Sequence, residues 1–341
     1  MSPATRLLGV VPAALLACGH GGPSRSADAL ARERDELSAL WSLYRYTHVQ
    51  DGRVIATDEG GITTSEGQAY ALLRAVWAND RRAFDEVWRW TKEHLQVRED
   101  RLLAWRWKDR VLDRNAATDA DQDAALALVL ASRRFGEARY LDEARGLLRD
   151  IWEKEVVIAG GRPFPTGGNW APAERHPTVH VAYLAPYAYE VFAEADPARP
   201  WKDLVRSSYD LLRFLYVDRG LALPPEVVYL EPRTGAILLE RPGGGGPSPS
   251  GYDAVPIFWR VALDARWFGR RSETDLRERM LRFPREAWRT EGRLRDRATT
   301  AGRPLSPLDG LPLLASVQAL AQVEDPALAA ELRAVDRKSV V

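Results

Sequence analysis

At 341 residues the chain has room for one large domain or two ordinary ones, and 45% hydrophobic with 28% charged residues is globular composition. Lys+Arg and Asp+Glu both number 48, which excludes the basic excess of a dedicated nucleic-acid binder. A single cysteine excludes an internal disulfide framework, and 12 tryptophans leave two readings open: an aromatic-rich helical core, or a groove that stacks on flat ligands.

The chain begins "MSPATRLLGVVPAALLAC". Arg6 is a thin positive region and Leu7–Ala17 an apolar run too short to span a bilayer. Leu15-Leu16-Ala17-Cys18 resembles a bacterial lipobox, and "GHGGPSRS" after it is a small, polar tether. Residues 1–17 therefore read as a lipoprotein-type signal peptide, Cys18 as the lipidation site and residues 18–26 as the tether. Gly19 after the cysteine resembles outer-membrane sorting. The alternative is an ordinary cleaved signal with an incidental cysteine. Both imply export, to the outer membrane or periplasm or into the medium, and the only membrane contact expected is the N-terminal lipid.

From about Ala27 the pattern is helix after helix. The first is "ADALARERDELSALWSLYRYTHV", followed by Thr64–Asn79 and by Arg81–Leu95, whose Phe84, Val87, Trp88, Thr91 and Leu95 share one face. Asp119–Phe135 is rich in alanine and leucine and reads as buried nearly all round. Glu137–Glu155 carries Leu141, Ala144, Leu148, Ile151 and Trp152 on one stripe. Further helices fit Pro177–Ala195, Trp201–Tyr216, Tyr252–Phe268, Thr274–Arg289, Pro307–Val323 and Pro326–Asp336. Strand signals are weak, with a small hairpin expected from Val227–Leu230 and Ala236–Leu239.

Paired helices, buried ones alternating with amphipathic ones, predict an all-α fold: a six-hairpin (α/α)6 toroid in a single domain over residues 27–341. The long loops are Gln50–Thr63, Val97–Thr118, Val156–His176, Leu221–Gly251 and Arg293–Ser306, and loops of that length are commonly functional. Several familiar signals fail. Gly243–Gly246 lacks the Gly-Lys-Ser/Thr of a phosphate loop. "DADQD" at Asp119–Asp123 lacks the glycine and glutamate of a calcium loop. His176 and His180 have zinc-like spacing, but Pro177 intervenes and no third ligand follows. No metal and no cofactor are expected.

Three acids stand where helices are expected to begin. Thr63-x-x-Glu66 fits a capping box, which explains Glu66 structurally but leaves Gly67 unexplained. Thr118 and Asp121 fit a second box, leaving Asp119 over, either for chemistry or simply to favour the helix dipole. Asp253, after a Gly/Pro-rich stretch, fits an N-cap with Pro256 in the first turn. In a toroid the inner helices start on one face. Carboxylates there, among Trp105, Trp107, Trp170 and Tyr252, suit glycoside hydrolysis.

At these residues the chain resembles glycoside hydrolase family 8, a cellulase-like family with a six-hairpin α/α toroid. "TTSEGQAYALLRAVWANDRRAFDEVWRWTKEHL", "LLAWRW", "ATDADQDAALALVLASRRF", "VAYLAPYAYEVFA" and "GYDAVPIFWRVALD" match its segments in order, across most of the chain after the signal. The resemblance implies an inverting endo-acting hydrolase of β-1,4-linked glucan, with Glu66 as proton donor and Asp253 as the base that activates water. Asp119 would hold the sugar at the cleavage point. Trp105, Trp170, Tyr183, Tyr252 and Arg260 would bind substrate, and Gly67 would leave a sugar ring room beside Glu66. The chain departs from the pattern at Gln122, Ala124 and Pro256, the last standing where family members commonly carry arginine. Xylan, chitosan or mixed-linkage glucan are alternative substrates. A non-catalytic glycan-binding lipoprotein and a polysaccharide lyase on a similar toroid are the rival classes. The expected partner is a polysaccharide, and the expected state a monomer.

Overall fold

The computed structural model describes residues 27–57 and 59–339. Cys18, the signal-like stretch and the tether lie outside the described residues. What is described is mostly helical, with eleven α-helices joined by short strands. It forms two compact units. One holds the chain up to Lys154 with Gly168–Trp170 and Glu194–Arg199; the other holds Glu155–Gly167, Ala171–Ala193 and the chain from Pro200 onward.

The first unit opens with α1 (Ala27–His48) and a tight hairpin of β1 (Val49–Gln50) and β2 (Arg53–Val54). Gly52 has φ +85°, and a side chain there would run into the backbone carbonyl of Glu86, so only glycine fits the turn. Next come β3 (Thr63–Thr64), α2 (Ser65–Trp77), α3 (Arg81–His94), β4 (Arg106–Lys108), β5 (Arg110–Asp113), α4 (Thr118–Phe135) and α5 (Ala138–Glu155). The core follows from the patterns. Every residue of α4 from Thr118 to Ala131 is buried, and α2 packs along it. Alanines 120, 124, 125, 127 and 131 let neighbours approach the α4 backbone closely, while Leu126, Leu128 and Leu130 fill the gaps. Each buried leucine contributes about 1.5–3 kcal/mol. A leucine at Ala127 would overpack the helix, at a cost of about 1–3 kcal/mol. Gly136, with φ +73°, ends α4 in the left-handed conformation that suits glycine. The apolar face of α3 is buried as expected from Phe84 to Leu95. On α5, Ala144, Leu148 and Ile151 are buried, whereas Leu141 and Trp152 are half-exposed.

The second unit holds two small sheets. β6 (Val156–Ala159) pairs with β7 (Arg162–Pro165), and β8 (Thr178–His180), β9 (Val227–Leu230) and β10 (Ile237–Leu238) form a three-stranded antiparallel sheet. The expected hairpin is present, widened by a strand the sequence did not announce. Its helices are α6 (Pro186–Ala195, whose last two residues belong to the first unit), α7 (Trp201–Arg213), α8 (Ile257–Phe268), α9 (Thr274–Glu291), α10 (Leu311–Glu324) and α11 (Pro326–Ser339).

Three expected helices start later than their patterns, Pro307–Val323 being helical only from Leu311. Pro177–Ala195 divides into strand β8, a 3-10 turn at Val181–Tyr183 and a helix that starts only at Pro186. Proline has no amide to donate inside a helix and is tolerated at its first position. Likewise Tyr252–Phe268 becomes a helix only at Ile257, with Pro256 at the cap position. The tryptophans divide between both readings of the composition. Trp201 is fully buried, stacked on Tyr189 and edge-on to Phe192, whereas Trp105 and Trp170 are not buried.

Candidate active site

The first unit brings Glu66 and Asp119 to matching places. Thr64, not Thr63, caps α2: its hydroxyl accepts from Gly67 N at 3.1 Å. Thr63 is fully buried in the sheet, donating to Val54 O at 2.7 Å and accepting from Arg53 Nε at 2.8 Å. The expected capping box is not formed: the Thr63 hydroxyl is taken by Val54 and Arg53, the cap falls to Thr64, and Gly67 at the third helical position has no side chain to bond back. Glu66 becomes the second residue of the helix, half-buried, and accepts from the Ser65 hydroxyl at 3.2 Å.

Gln68 fixes this corner. Fully buried, it accepts from Val54 N at 2.6 Å and donates to Gly52 O and to the Thr91 hydroxyl at 3.1 and 2.8 Å. A Cβ on Gly67 would lie 3.4 Å from Val54 Cγ1 and 3.5 Å from Thr64 Oγ1. A methyl there would therefore sit in ordinary contact with β2 and with the Thr64 side chain.

The α4 start repeats the arrangement. Ala117 stands at the cap position without a side-chain bond, so the expected Thr118–Asp121 box is not formed. Asp121 instead accepts from Leu103 N at 2.9 Å, tying down the preceding loop. Asp119 is the second residue of α4 and only 7% exposed. Backbone bonds join the two helix starts: Ser65 N donates to Trp105 O at 3.0 Å, and Trp105 N to Asn115 O at 2.8 Å. Both helices thus begin at the same end, and each acid lies in the positive field of its helix N-terminus.

Aromatic residues flank this end. Trp105 is half-exposed and hydrogen-bonds through its indole to Asp113, whose carboxyl is held below its ordinary range chiefly by that bond and by the Asn115 amide. Trp170 is 40% exposed. It follows Asn169, whose side chain accepts from Ala116 N at 2.6 Å. A Cβ on Gly168 would collide with Ala116 O, so the glycine lets this tripeptide lie flat against the α4 entrance. Trp107 is occupied by the protein, edge-on to Trp90 and His94 with the Arg53 guanidinium 4.5 Å from its ring centre.

In the second unit Asp253 is exposed in a turn closed by Ala254 N donating to Gly251 O at 2.9 Å. It precedes α8 by a full turn, so it is not the expected N-cap. Tyr252 is 55% exposed. His180, at the end of β8, stacks on Tyr183 at 4.6 Å; burial lowers its pKa, and the Asp253 charge opposes that. Tyr183 is half-exposed, its carbonyl accepting from the Tyr189 hydroxyl at 3.2 Å. Arg260, expected to bind substrate, is fully buried and donates to the Tyr187 hydroxyl at 3.1 Å.

One carboxylate here has no sequence signal. Glu226 lies in "PPEVVYL", where neither period nor motif marks it. Its amide donates to Pro249 O at 2.9 Å and its carbonyl accepts from Val181 N at 3.0 Å, which holds it beside the Asp253 turn. Burial raises its pKa, the Asp253 charge raises it further, and Arg297 offsets part of the rise.

The family model described as "Glycosyl hydrolases family 8" matches residues 25–301. A "Probable endoglucanase" of Novacetimonas hansenii is 30% identical over 243 residues, 68% of each chain. An "Endoglucanase" of Cellulomonas uda is 32% identical over 181 residues, half of each chain. An "Endoglucanase" of Escherichia coli K12 is 31% identical over 242 residues, 65% of this chain and 61% of that one. The matched stretch thus spans between half and about two thirds of these relatives' lengths. Among solved structures, the endo-beta-1,4-glucanase CMCax of Acetobacter xylinum superposes with a TM-score of 0.70 at 22% identity, covering 89% of this chain and 99% of that one. A beta-1,3-1,4-glucanase of Paenibacillus sp. X4 gives 0.77 at 18% identity, covering 93% and 89%. At such identities the likeness is one of fold.

Proposed function

The chain belongs to glycosyl hydrolases family 8, and on that premise we propose that it is an inverting, endo-acting hydrolase of β-1,4-linked glucan. The observation that carries the reading is the matched placement of Glu66 and Asp119 at two joined helix starts. Glu66 protonates the glycosidic oxygen as the bond to the anomeric carbon breaks. Asp253 takes a proton from the water that attacks that carbon from the opposite face, so configuration inverts in one displacement. Asp119 holds the sugar at the cleavage point beside Glu66. Trp105, Trp170, Tyr183 and Tyr252 offer flat faces to sugar rings. Arg260 acts through Tyr187, which it hydrogen-bonds. The helices are arranged as the six-hairpin toroid of the family resemblance, a reading supported by the common direction of α2 and α4. The choice of β-1,4-glucan is supported by relatives named as endoglucanases.

Proton NMR in the first minutes of cello-oligosaccharide hydrolysis tests the reaction. An inverting enzyme releases the new reducing end as the α-anomer, and initial β-product would overturn the assignment. No release of reducing sugar at all would favour a glycan-binding protein. Export with acylation at Cys18 is part of the same proposal, supported by the lipobox-like Leu15–Cys18. Cys18→Ser should shift the protein from the membrane to the soluble fraction, and an unchanged distribution would refute the anchor.

A further inference from the structure

Gly251 has no backbone reason to be glycine, for it is not among the residues in the left-handed region. Its surroundings supply another. A Cβ built on it lands on Glu226 Oε1, far inside van der Waals contact, and 3.6 Å from Arg297 Cγ. The missing side chain is the opening through which the Glu226 carboxylate reaches the turn carrying Asp253. Arg297 lies beside the same opening. Ser250 and Ala298 exchange backbone bonds, Ser250 N to Ala298 O at 2.9 Å and Ala298 N to Ser250 O at 3.0 Å, which sets Arg297 beside Gly251. The backbone of Arg297 is held on its other side by Leu305 N, which donates to its carbonyl at 2.9 Å. The Glu226 backbone is likewise anchored, through its own amide and carbonyl.

We propose that Glu226 and Arg297 are positioning residues for the general base, setting from opposite signs the charge felt at the Asp253 turn. The inference rests on reading Asp253 as the base. A second carboxylate disfavours ionisation of its neighbour and a guanidinium favours it. The surrounding groups fit that balance: Glu226 is faced by Asp253 from the turn and Arg297 from the segment after α9, and Asp253 in turn by His180 at the end of β8. Burial favours the neutral imidazole of His180, which leaves Arg297 as the compensating cation.

The test is the pH profile of kcat/KM on a neutral cello-oligosaccharide, whose rising acid limb reports the base. Glu226→Gln should move that limb to lower pH and Arg297→Gln to higher pH, each by roughly half a unit or more. Arg297→Lys should restore the wild-type position. Gly251→Ala should displace the Glu226 carboxylate and mimic Glu226→Gln, yet add nothing in the Glu226→Gln background. Limbs that stay in place, with or without a lower thermal midpoint, would reduce both residues to packing. Asp253→Asn separates this inference from its premise. If that variant is inactive while the limbs do not move, the positioning role fails and the base stands. If it is fully active, the base assignment fails and the inference with it.

Discussion

Glu66 and Asp119 occupy the same station on neighbouring helices. Each is the second residue of its helix, and the backbone of Trp105 joins the two helix starts. The pair is set by main-chain geometry, so isosteric changes to the carboxylates should leave the frame intact. Glu66→Gln and Asp119→Asn should each lower kcat on cello-oligosaccharides about 100- to 10,000-fold, with thermal midpoints near that of the wild type. Near-normal turnover in Glu66→Gln would remove the general acid from this position.

Gly67 gives a sharp contrast between sequence and structure. If a sugar ring needs its bare backbone, Gly67→Ala should weaken substrate binding. The fold instead places the new methyl in ordinary contact with Val54 and Thr64. The variant should keep wild-type KM and kcat, with a midpoint in urea unchanged or slightly higher because alanine favours the helix. A raised KM would return the sugar to this spot.

The two threonines before α2 should differ in kind. Thr64→Ala removes the cap and should cost about 1 kcal/mol in urea unfolding. Thr63→Val leaves Val54 O and Arg53 Nε without their hydroxyl partner in a buried sheet, and should cost about 1–3 kcal/mol. A neutral Thr63→Val would show that the buried hydroxyl is dispensable.

Asp113 gives a pH prediction. Its carboxyl titrates below the ordinary range because Trp105 and the Asn115 amide hydrogen-bond the charged form. A carboxylate depressed by folding adds stability above its unfolded pKa, and that stability is lost as pH falls through the folded value. Trp105→Phe removes the indole donor. The Asp113 pKa measured by NMR should rise, and the gap in stability between neutral and acidic pH should narrow. An unmoved titration would show that the indole does not hold this carboxylate.

The sequence by itself determined the helices. The positions of α1 to α5 and of α7, α9 and α11 follow from apolar spacing at the helical period, a local property that each segment carries whatever surrounds it. It also singled out Glu66 and Asp119, since acids at the head of an apolar-periodic run are legible without a partner. Tertiary structure decided what depends on distant neighbours. Strands of two to four residues such as β3, β4 and β8 are too short to display a period, and pairing alone defines them. The bonds of the Thr63 hydroxyl to Val54 and Arg53 also take it away from the helix start and leave the cap to Thr64. Glu226 reaches the Asp253 turn only because Pro249 and Val181 bind its backbone and Gly251 offers no side chain in the way. Such contacts join residues far apart in the chain, and the order of residues carries no local trace of them.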